Sequence, residues 1–240
     1  MPQKPRRRKQ SGLKTGYAVG AVLLLVAVAG AGWYLYNSSA NTGAIGPTTS
    51  IISSSVSVSS TPSSSSSANA IYANISTSKG LIEVELFPAS APKTVANFVN
   101  LSRSGFYNNL VWHRIVPGFV IQTGDPLTKN GGGDRSLWGT GQSSQQVPLE
   151  IDPALHNDAG YLAMAHTASS TSATSQFYIN LVNNPNLDGQ YTVFGKVVGG
   201  MDVVNAIAGV PIYPNQSSQF YDQPITPVYV LSITVLSGGP

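Results

Sequence analysis

Eight short apolar stretches, each bounded by turn residues, run through the chain from Ile71 onward and leave few architectures open. They are Ile71 to Thr77, Leu81 to Leu86, Val111 to Ile115, Phe119 to Thr123, Tyr161 to Ala165, Phe177 to Leu181, Val193 to Val198 and Val228 to Val235. Several alternate apolar and polar residues, the period of two that sends successive side chains of a half-buried antiparallel strand to opposite faces. Ser78-Lys79-Gly80 predicts a hairpin turn between the first two. Helical spacing occurs in two places. One runs from about Ala91 or Pro92 to Ser104, with Pro92 in the first turn, Val95, Phe98, Val99 and Leu101 as an apolar stripe, and Gly105 as a cap. The other runs from about Gly200 to Ala208, with Val203, Val204 and Ile207 as its inner face and Gly209 ending it. Many short strands with two helices predict a mainly β fold, a closed antiparallel eight-stranded β-barrel capped by two helices. Closure would also remove exposed sheet edges.

What precedes residue 70 is of a different kind. Gly16 to Tyr36 is uncharged and mostly apolar. As a helix of about 21 residues it would be roughly 31 Å long, which matches the hydrocarbon core of a bilayer. Trp33, Tyr34 and Tyr36 cluster at one end, as an interfacial aromatic belt does. Lys4, Arg6, Arg7, Arg8, Lys9 and Lys14 all lie before the run, and no charge follows it until Lys79. The positive-inside rule then places the N-terminus in the cytoplasm and the rest outside. The competing reading is a signal peptide cleaved near Ala27-Val28-Ala29. The apolar run continues past that site to the aromatic end, which favours an uncleaved anchor. Residues 37 to 69 are dominated by Ser and Thr, cannot bury enough apolar surface to offset ordering entropy, and are expected to be a disordered linker. Such a coil spans on the order of 30 Å. The expected organisation is a basic tail at 1-15, a transmembrane anchor at 16-36, the linker at 37-69 and one folded domain at 70-240. The basic balance belongs to the tail. From Lys79 onward seven basic residues face ten acidic ones, so the folded part is acidic and nothing in it predicts nucleic-acid binding.

The chemistry open to the domain is narrow. The chain has no cysteine, which excludes disulfides, thiolate catalysis, Cys-ligated zinc and a lipid anchor on cysteine. His113, His156 and His166 lack metal-ligand spacing, and no metal or cofactor is expected. Asn130-Gly131-Gly132-Gly133-Asp134 lacks the lysine and helix start of a phosphate cradle. There is no nucleophile elbow. What stands out is Val111 to Pro126, which sets Arg114, Phe119 and Gln122 in a β-rich run. An arginine, a glutamine and an aromatic ring suit binding and polarising a neutral group better than breaking a bond. His113 is expected to be structural, and Phe177 to be core.

Trp112-His113-Arg114-Ile115-Val116-Pro117-Gly118-Phe119-Val120-Ile121-Gln122-Thr123-Gly124-Asp125 resembles the signature of the cyclophilin-type peptidyl-prolyl isomerases, F-H-R-[IV]-[IV]-P-G-F-[MV]-x-Q-x-G-D, with Trp112 in place of Phe. Ser175-Gln176-Phe177-Tyr178-Ile179 resembles the family's S-Q-F-[FY]-[IV], Leu162-Ala163-Met164-Ala165-His166 its L-S-M-A-N, and Leu187 to Gly195 its L-D-G-x-[HY]-x-V-F-G. The matches run from Ile71 to Met201 and beyond. The Thr167 to Thr174 loop and the tail after Val210 match poorly, and the sequence does not explain Pro211 to Pro227, rich in Pro, Gln and Tyr. The resemblance implies that Arg114 is the catalytic donor, with Gln122 and Phe119 beside it. It implies a substrate-binding surface of Val120, Ala165, His166, Gln176, Tyr178, Leu187 and Tyr191, with Ala165 and His166 acting through main chain. Val120 replaces the usual Met, Tyr178 the usual Phe, Tyr191 a frequent His and Asn186 a frequent Trp or Phe. The last change speaks against tight cyclosporin binding.

The implied reaction is modest in its demands. Rotation about an X-Pro bond is opposed by amide resonance, with a barrier of about 18–20 kcal/mol. It takes tens to hundreds of seconds unaided. Bringing it to milliseconds needs roughly 6–7 kcal/mol of barrier lowering. A donor near the proline nitrogen and carbonyl, with an apolar clamp on the ring, supplies that by favouring the twisted amide. The expected protein is a membrane-anchored isomerase of bacterial type. It would act outside the cytoplasm on proline-containing peptides and unfolded or exported proteins. The alternative is a proline-peptide-binding or scaffold module of the same fold with little catalysis. A third class, an envelope hydrolase, lacks any nucleophile–base motif. Nothing in the sequence sets an oligomeric state.

Overall fold

The computed structural model describes residues 70–166, 172–214 and 220–237. The expected tail, anchor and linker lie outside the described residues. Among the described residues no helix is long and apolar enough to cross a membrane.

β1 (Ile71–Thr77) and β2 (Gly80–Leu86) form the expected hairpin, with Thr77 facing Gly80 across a two-residue turn. Alternation sorts them: Ala73, Ile75, Ile82, Val84 and Leu86 are buried, while Tyr72, Asn74, Glu83 and Glu85 lie on the other face. α1 (Pro92–Arg103) follows, burying Val95, Phe98 and Val99. It has no N-cap side chain of its own. The distant Glu150 carboxylate caps it instead, accepting from the Lys93 and Thr94 amides at 3.1 and 2.9 Å. A carboxylate there also meets the positive end of the helix dipole. Next come β3 (Leu110–Val111), β4 (Arg114–Val116) and β5 (Val120–Thr123), then β6 (Val147–Pro148), β7 (Tyr161–Met164), β8 (Ser172–Ala173), β9 (Phe177–Asn180) and β10 (Val193–Gly199). α2 (Met201–Ala208) buries Val204 and Ile207, with Val203 half-buried beside them, and β11 (Tyr229–Ser237) ends the described fold.

The expected closed eight-stranded barrel is corrected. Among the described residues nine strands make one antiparallel sheet, ordered β3-β11-β1-β2-β10-β7-β9-β5-β4, which curls around the core without closing; β6 and β8 pair separately. The strand expected from Val111 to Ile115 is two strands at opposite ends of that sheet. β3 pairs with β11 through Val111 and Tyr229, whereas β4 pairs with β5 through Arg114 and Gln122. The cause is a lapse of alternation. Val111, Trp112 and His113 are all buried in succession, and the ladder is interrupted at Trp112 and His113, which belong to neither strand. Among the described residues the gap between the sheet's ends is thus crossed by chain and by side-chain bonds such as Thr123 Oγ1 to the Val111 carbonyl at 2.9 Å, not by a backbone ladder.

The core lies inside the curl. Phe177, fully buried, sits among Phe98, Tyr107, Trp112 and Phe194, with ring centroids 5.5, 5.7, 6.1 and 6.2 Å away and all four contacts edge-to-face. Those partners come from α1, from the loop before β3, from the break and from β10. We expect Phe177→Ala to lower unfolding free energy by about 3–5 kcal/mol, as loss of a large buried ring does. Urea titration of parent and variant measures it; a loss below 1 kcal/mol would mean that this cluster does not hold the sheet in its curl.

Candidate active site

The same alternation that fills the core builds a second surface on the sheet's outer face. On β5, Ile121 points into the core while Val120 belongs to a separate cluster with Ala163, Tyr178, Leu187 and Val193. Register then aligns one row across five strands: Arg114 faces Gln122, Gln122 faces Tyr178, Tyr178 faces Ala163, and Ala163 faces Val193. Arg114, Phe119, Val120, Gln122, Ala165, His166, Tyr178, Leu187 and Tyr191 line one cavity on that face. Gln176 does not line it. It stands behind Gln122, whose Nε2 donates to the Gln176 Oε1 at 2.8 Å.

Local sequence places each wall. Val116-Pro117-Gly118-Phe119 is a tight turn in which the Phe119 amide donates to the Val116 carbonyl at 3.0 Å. Pro117 sets the first corner, and Gly118, at φ +72°, supplies the left-handed second corner. The turn delivers Phe119 to the rim, where its carbonyl accepts from the Leu181 amide and from Asn184 Nδ2. Leu187 arrives on a short 3-10 turn, Pro185–Leu187. Tyr191 packs edge-on against Tyr178 at 5.9 Å and stacks on His166 at 4.6 Å, and His166 Nε2 lies 2.9 Å from the Gln190 carbonyl. The Tyr178 hydroxyl donates to Asn157 Oδ1 at 2.8 Å, and burial pushes its phenol above the ordinary tyrosine range. The Ala165 amide is taken by the Gln176 carbonyl at 2.9 Å and so is not available to a ligand.

Behind the cavity runs a polar network that sequence reasoning did not pick out. Gln176 Nε2 donates to the Gly139 and Gly141 carbonyls at 3.0 and 2.7 Å. The amides of those two glycines donate to Asp125 Oδ2, and the Leu127 amide donates to Oδ1 at 2.7 Å. Three amide donors offset the cost of burying a carboxylate completely. Gly124, at φ +94°, lets the end of β5 approach Ser175; a Cβ there would meet the Ser175 carbonyl at 2.3 Å. That approach sets Gln176 against Gln122. The Gly-Asp pair was visible at the end of a strand in the sequence, but nothing local showed which amides its carboxylate would gather.

At the cavity Arg114 pairs with its neighbour Asp222, whose carboxylate Oδ2 lies 3.8 Å from Arg114 Nε, both side chains about a quarter exposed. Burial lowers the guanidinium's affinity for its proton, opposed by Asp222 and by Tyr221 and Tyr191. Burial raises the Asp222 carboxyl, and Arg114 opposes that. His113 is buried as expected of a structural residue. Burial pushes its imidazole down to about 4, with Asp125 pulling upward and Arg114 adding to the depression. Among the described residues no group of acidic and histidine side chains has the arrangement of a metal site.

Comparison with known proteins gives this geometry a family. A model described as cyclophilin type peptidyl-prolyl cis-trans isomerase/CLD matches residues 72–235. Peptidylprolyl isomerase domain and WD repeat-containing protein 1 of Mus musculus is 44% identical over 162 residues, covering 67% of this chain and 23% of that protein, so the chain spans about a quarter of that relative's length. Peptidyl-prolyl cis-trans isomerase-like 1 of Aspergillus fumigatus is 40% identical over 164 residues, covering 68% of this chain and 94% of that protein. A crystal structure of a cyclophilin type peptidyl-prolyl cis-trans isomerase from Cryptosporidium parvum aligns with a TM-score of 0.59 at 30% identity, covering 71% of this chain and 99% of that one. A second structure of the same protein, solved in the presence of the dipeptide Ala-Pro, aligns with a TM-score of 0.58 at 32% identity, covering 70% of this chain and 99% of that one. The chain belongs to the cyclophilin-type peptidyl-prolyl cis-trans isomerase family.

The depressed His113 makes stability depend on pH in a definite direction. Above about pH 6.5 the imidazole is neutral in folded and unfolded chains alike and contributes no slope. Between about 6.5 and about 4 only the unfolded chain takes up the proton, so stability falls as pH falls, by roughly 3 kcal/mol in all. Urea titrations at pH 7 and pH 4.5 should show the parent losing roughly 2 kcal/mol more than His113→Gln over that interval. Equal losses in the two proteins would mean that His113 titrates normally in the fold.

Proposed function

We propose that this cyclophilin-type chain is an active peptidyl-prolyl cis-trans isomerase, with Arg114 as the donor to the twisted amide and the outer-face cavity as the proline site. The observation that carries the reading is the convergence at that cavity. Nine residues from six separate stretches of sequence line it, and the cation sits at one end of an otherwise apolar and aromatic floor. Val120, Leu187, Tyr178 and the Phe119 ring would clamp the pyrrolidine. Arg114 would donate to the carbonyl or nitrogen of the X-Pro bond as resonance is lost. Arg114 Nε lies 3.8 Å from Asp222 Oδ2, too long for a hydrogen bond, and the guanidinium donors would turn to the substrate. Gln122, its amide committed to Gln176, keeps Oε1 as an acceptor for a peptide N–H. No covalent step is needed, because the site has only to bind the twisted amide better than the planar one. The related structure solved with Ala-Pro supports a proline ligand for this fold.

The setting of this activity belongs to the same proposal. The basic tail, the uncharged run at 16-36 and the Ser/Thr-rich stretch at 37-69 support a single-pass, bacterial-type envelope protein. Its N-terminus would be cytoplasmic and its isomerase domain extracytoplasmic, acting on unfolded or exported proteins near the membrane.

Isomerisation of a short X-Pro peptide by the full-length chain, followed by NMR exchange, tests the reading. Fast exchange is expected for the parent. Arg114→Ala should lower kcat/KM by roughly 10²–10³, the loss typical of removing one transition-state donor, with unfolding free energy little changed. A well-folded parent that binds the peptide without accelerating exchange would establish a binding module instead.

A further inference from the structure

The segment from Pro211 to Pro227 had no counterpart in the motifs that revealed the family, yet the structure brings part of it against Arg114. Its described residues, 211–214 and 220–227, make a two-limbed excursion between α2 and β11. Ile212 and Pro224 form an isolated bridge, the Tyr213 amide donates to the Gln223 carbonyl at 3.0 Å, and the Ile225 amide donates to the Pro211 carbonyl at 2.9 Å. Arg135, from the loop that Gln176 and Asp125 hold, fastens the excursion. Its Nη2 donates to the Pro224 carbonyl at 3.1 Å, Gln223 Nε2 returns a bond to the Arg135 carbonyl at 2.9 Å, and the guanidinium lies over the rings of Trp138 and Tyr213.

Asp222 meets β4 from this platform, and it does so at two points. Its carbonyl accepts from the Ile115 amide at 2.7 Å, satisfying an edge donor that the end strand of the sheet would otherwise leave unpaired. Its carboxylate lies 3.8 Å from Arg114 Nε. The residue adopts φ +62°, a left-handed conformation that aspartate tolerates better than most residues and that persists only where surroundings hold it. The separation is too long for a hydrogen bond, so Asp222 attracts the guanidinium without consuming its donors.

We infer that Asp222 is a positioning residue for Arg114: the excursion holds its carboxylate on the Nε side of the guanidinium and so fixes the donor over the proline site with its N–H groups free for the substrate. This rests on the proposed donor role of Arg114. A loose arginine would sample many rotamers, and ordering it before substrate arrives lowers the entropic cost of reaching the transition state.

The test uses the full-length chain as parent, Asp222→Asn, Asp222→Gly, Arg114→Ala and the double variant Arg114→Ala/Asp222→Asn, with kcat and KM from NMR exchange on an X-Pro peptide. Asparagine keeps the shape and removes the charge; glycine removes the carboxylate while accepting φ +62° without strain, and answers the question if the asparagine variant folds poorly. Both single variants at Asp222 should lose roughly fivefold in kcat, near the upper end for an ion pair of this exposure, with KM little changed. The Arg114 Nε–Hε NMR signal should show greater motion in both. In the Arg114→Ala background, Asp222→Asn should cost nothing more. Unchanged kcat in both Asp222 variants, with Arg114→Ala impaired, would overturn the positioning role and leave the donor role standing. The same loss in both backgrounds would also overturn it, since Asp222 would then act other than through Arg114. An Arg114→Ala variant as active as the parent would remove the donor role and the inference together.

Discussion

The period of two along β4, β5, β9, β7 and β10 is the constraint on which the rest of this molecule depends. Each of these strands has a core face and a cavity face, and neighbouring registers must agree for either to work. Ile121, Ile179 and Leu162 form one continuous inner row, and Gln122, Tyr178 and Ala163 the adjacent outer row. A slip of one residue in β5 or β9 would send Gln122 or Tyr178 into the aromatic core and an isoleucine into the cavity. Burial of Phe177 with its four aromatic neighbours therefore does more than stabilise the fold, because it fixes the register that presents Tyr178 to the other side.

A second requirement is that the polar groups of the site hold still. Gln122 is tied to Gln176, Gln176 to the Gly139–Gly141 segment, and that segment to Asp125. Every link is a bond to a backbone group or to an amide in a buried setting, where a missing partner costs more than the bond contributes on the surface. The cavity face of the sheet and the loop behind it are in this way one polar unit. Because Arg135 of the same loop fastens the 211–227 excursion, Asp222 is tied to Gln122 through bonded neighbours as well as through Arg114.

How much of this was legible in the sequence follows from how local each signal is. Alternation is local, so strands such as Ile71–Thr77 and the two helices were visible within a residue or two of their ends. The cavity was legible only through resemblance, since nothing in the spacing of Tyr178, Leu187 and Tyr191 says that they meet Arg114. The closed barrel was not legible correctly. An apolar run from Val111 to Ile115 has the composition of a single strand, and only the tertiary demand to bury both Trp112 and His113 breaks it. The 3-10 turns and the two-residue strands β6 and β8 carry too few residues for any period to show. Asp222 was invisible for a different reason. Its role depends on where an irregular, proline-rich excursion comes to rest, and irregular backbone has no sequence period to reveal it.

The open seam of the sheet and the position of Arg114 are two consequences of one break. Had Val111 to Ile115 continued as one strand within a closed ladder, a further strand would flank Arg114 on the side now taken by the excursion. Its side chains would cover the guanidinium from both sides and raise the cost of keeping it charged and available. With the ladder broken at Trp112 and His113, β4 becomes an end strand only three residues long. Among the described residues its free edge is met by the carbonyl of Asp222 and its charge by the carboxylate of the same residue. The arginine is then shielded enough to be oriented and exposed enough to reach a peptide. The two aromatic groups at the break, the indole of Trp112 and the imidazole of His113, are buried directly beside Arg114, which faces outward. The absence of a closing ladder among the described residues is thus what lets a charged side chain stand at the rim of a largely apolar and aromatic site.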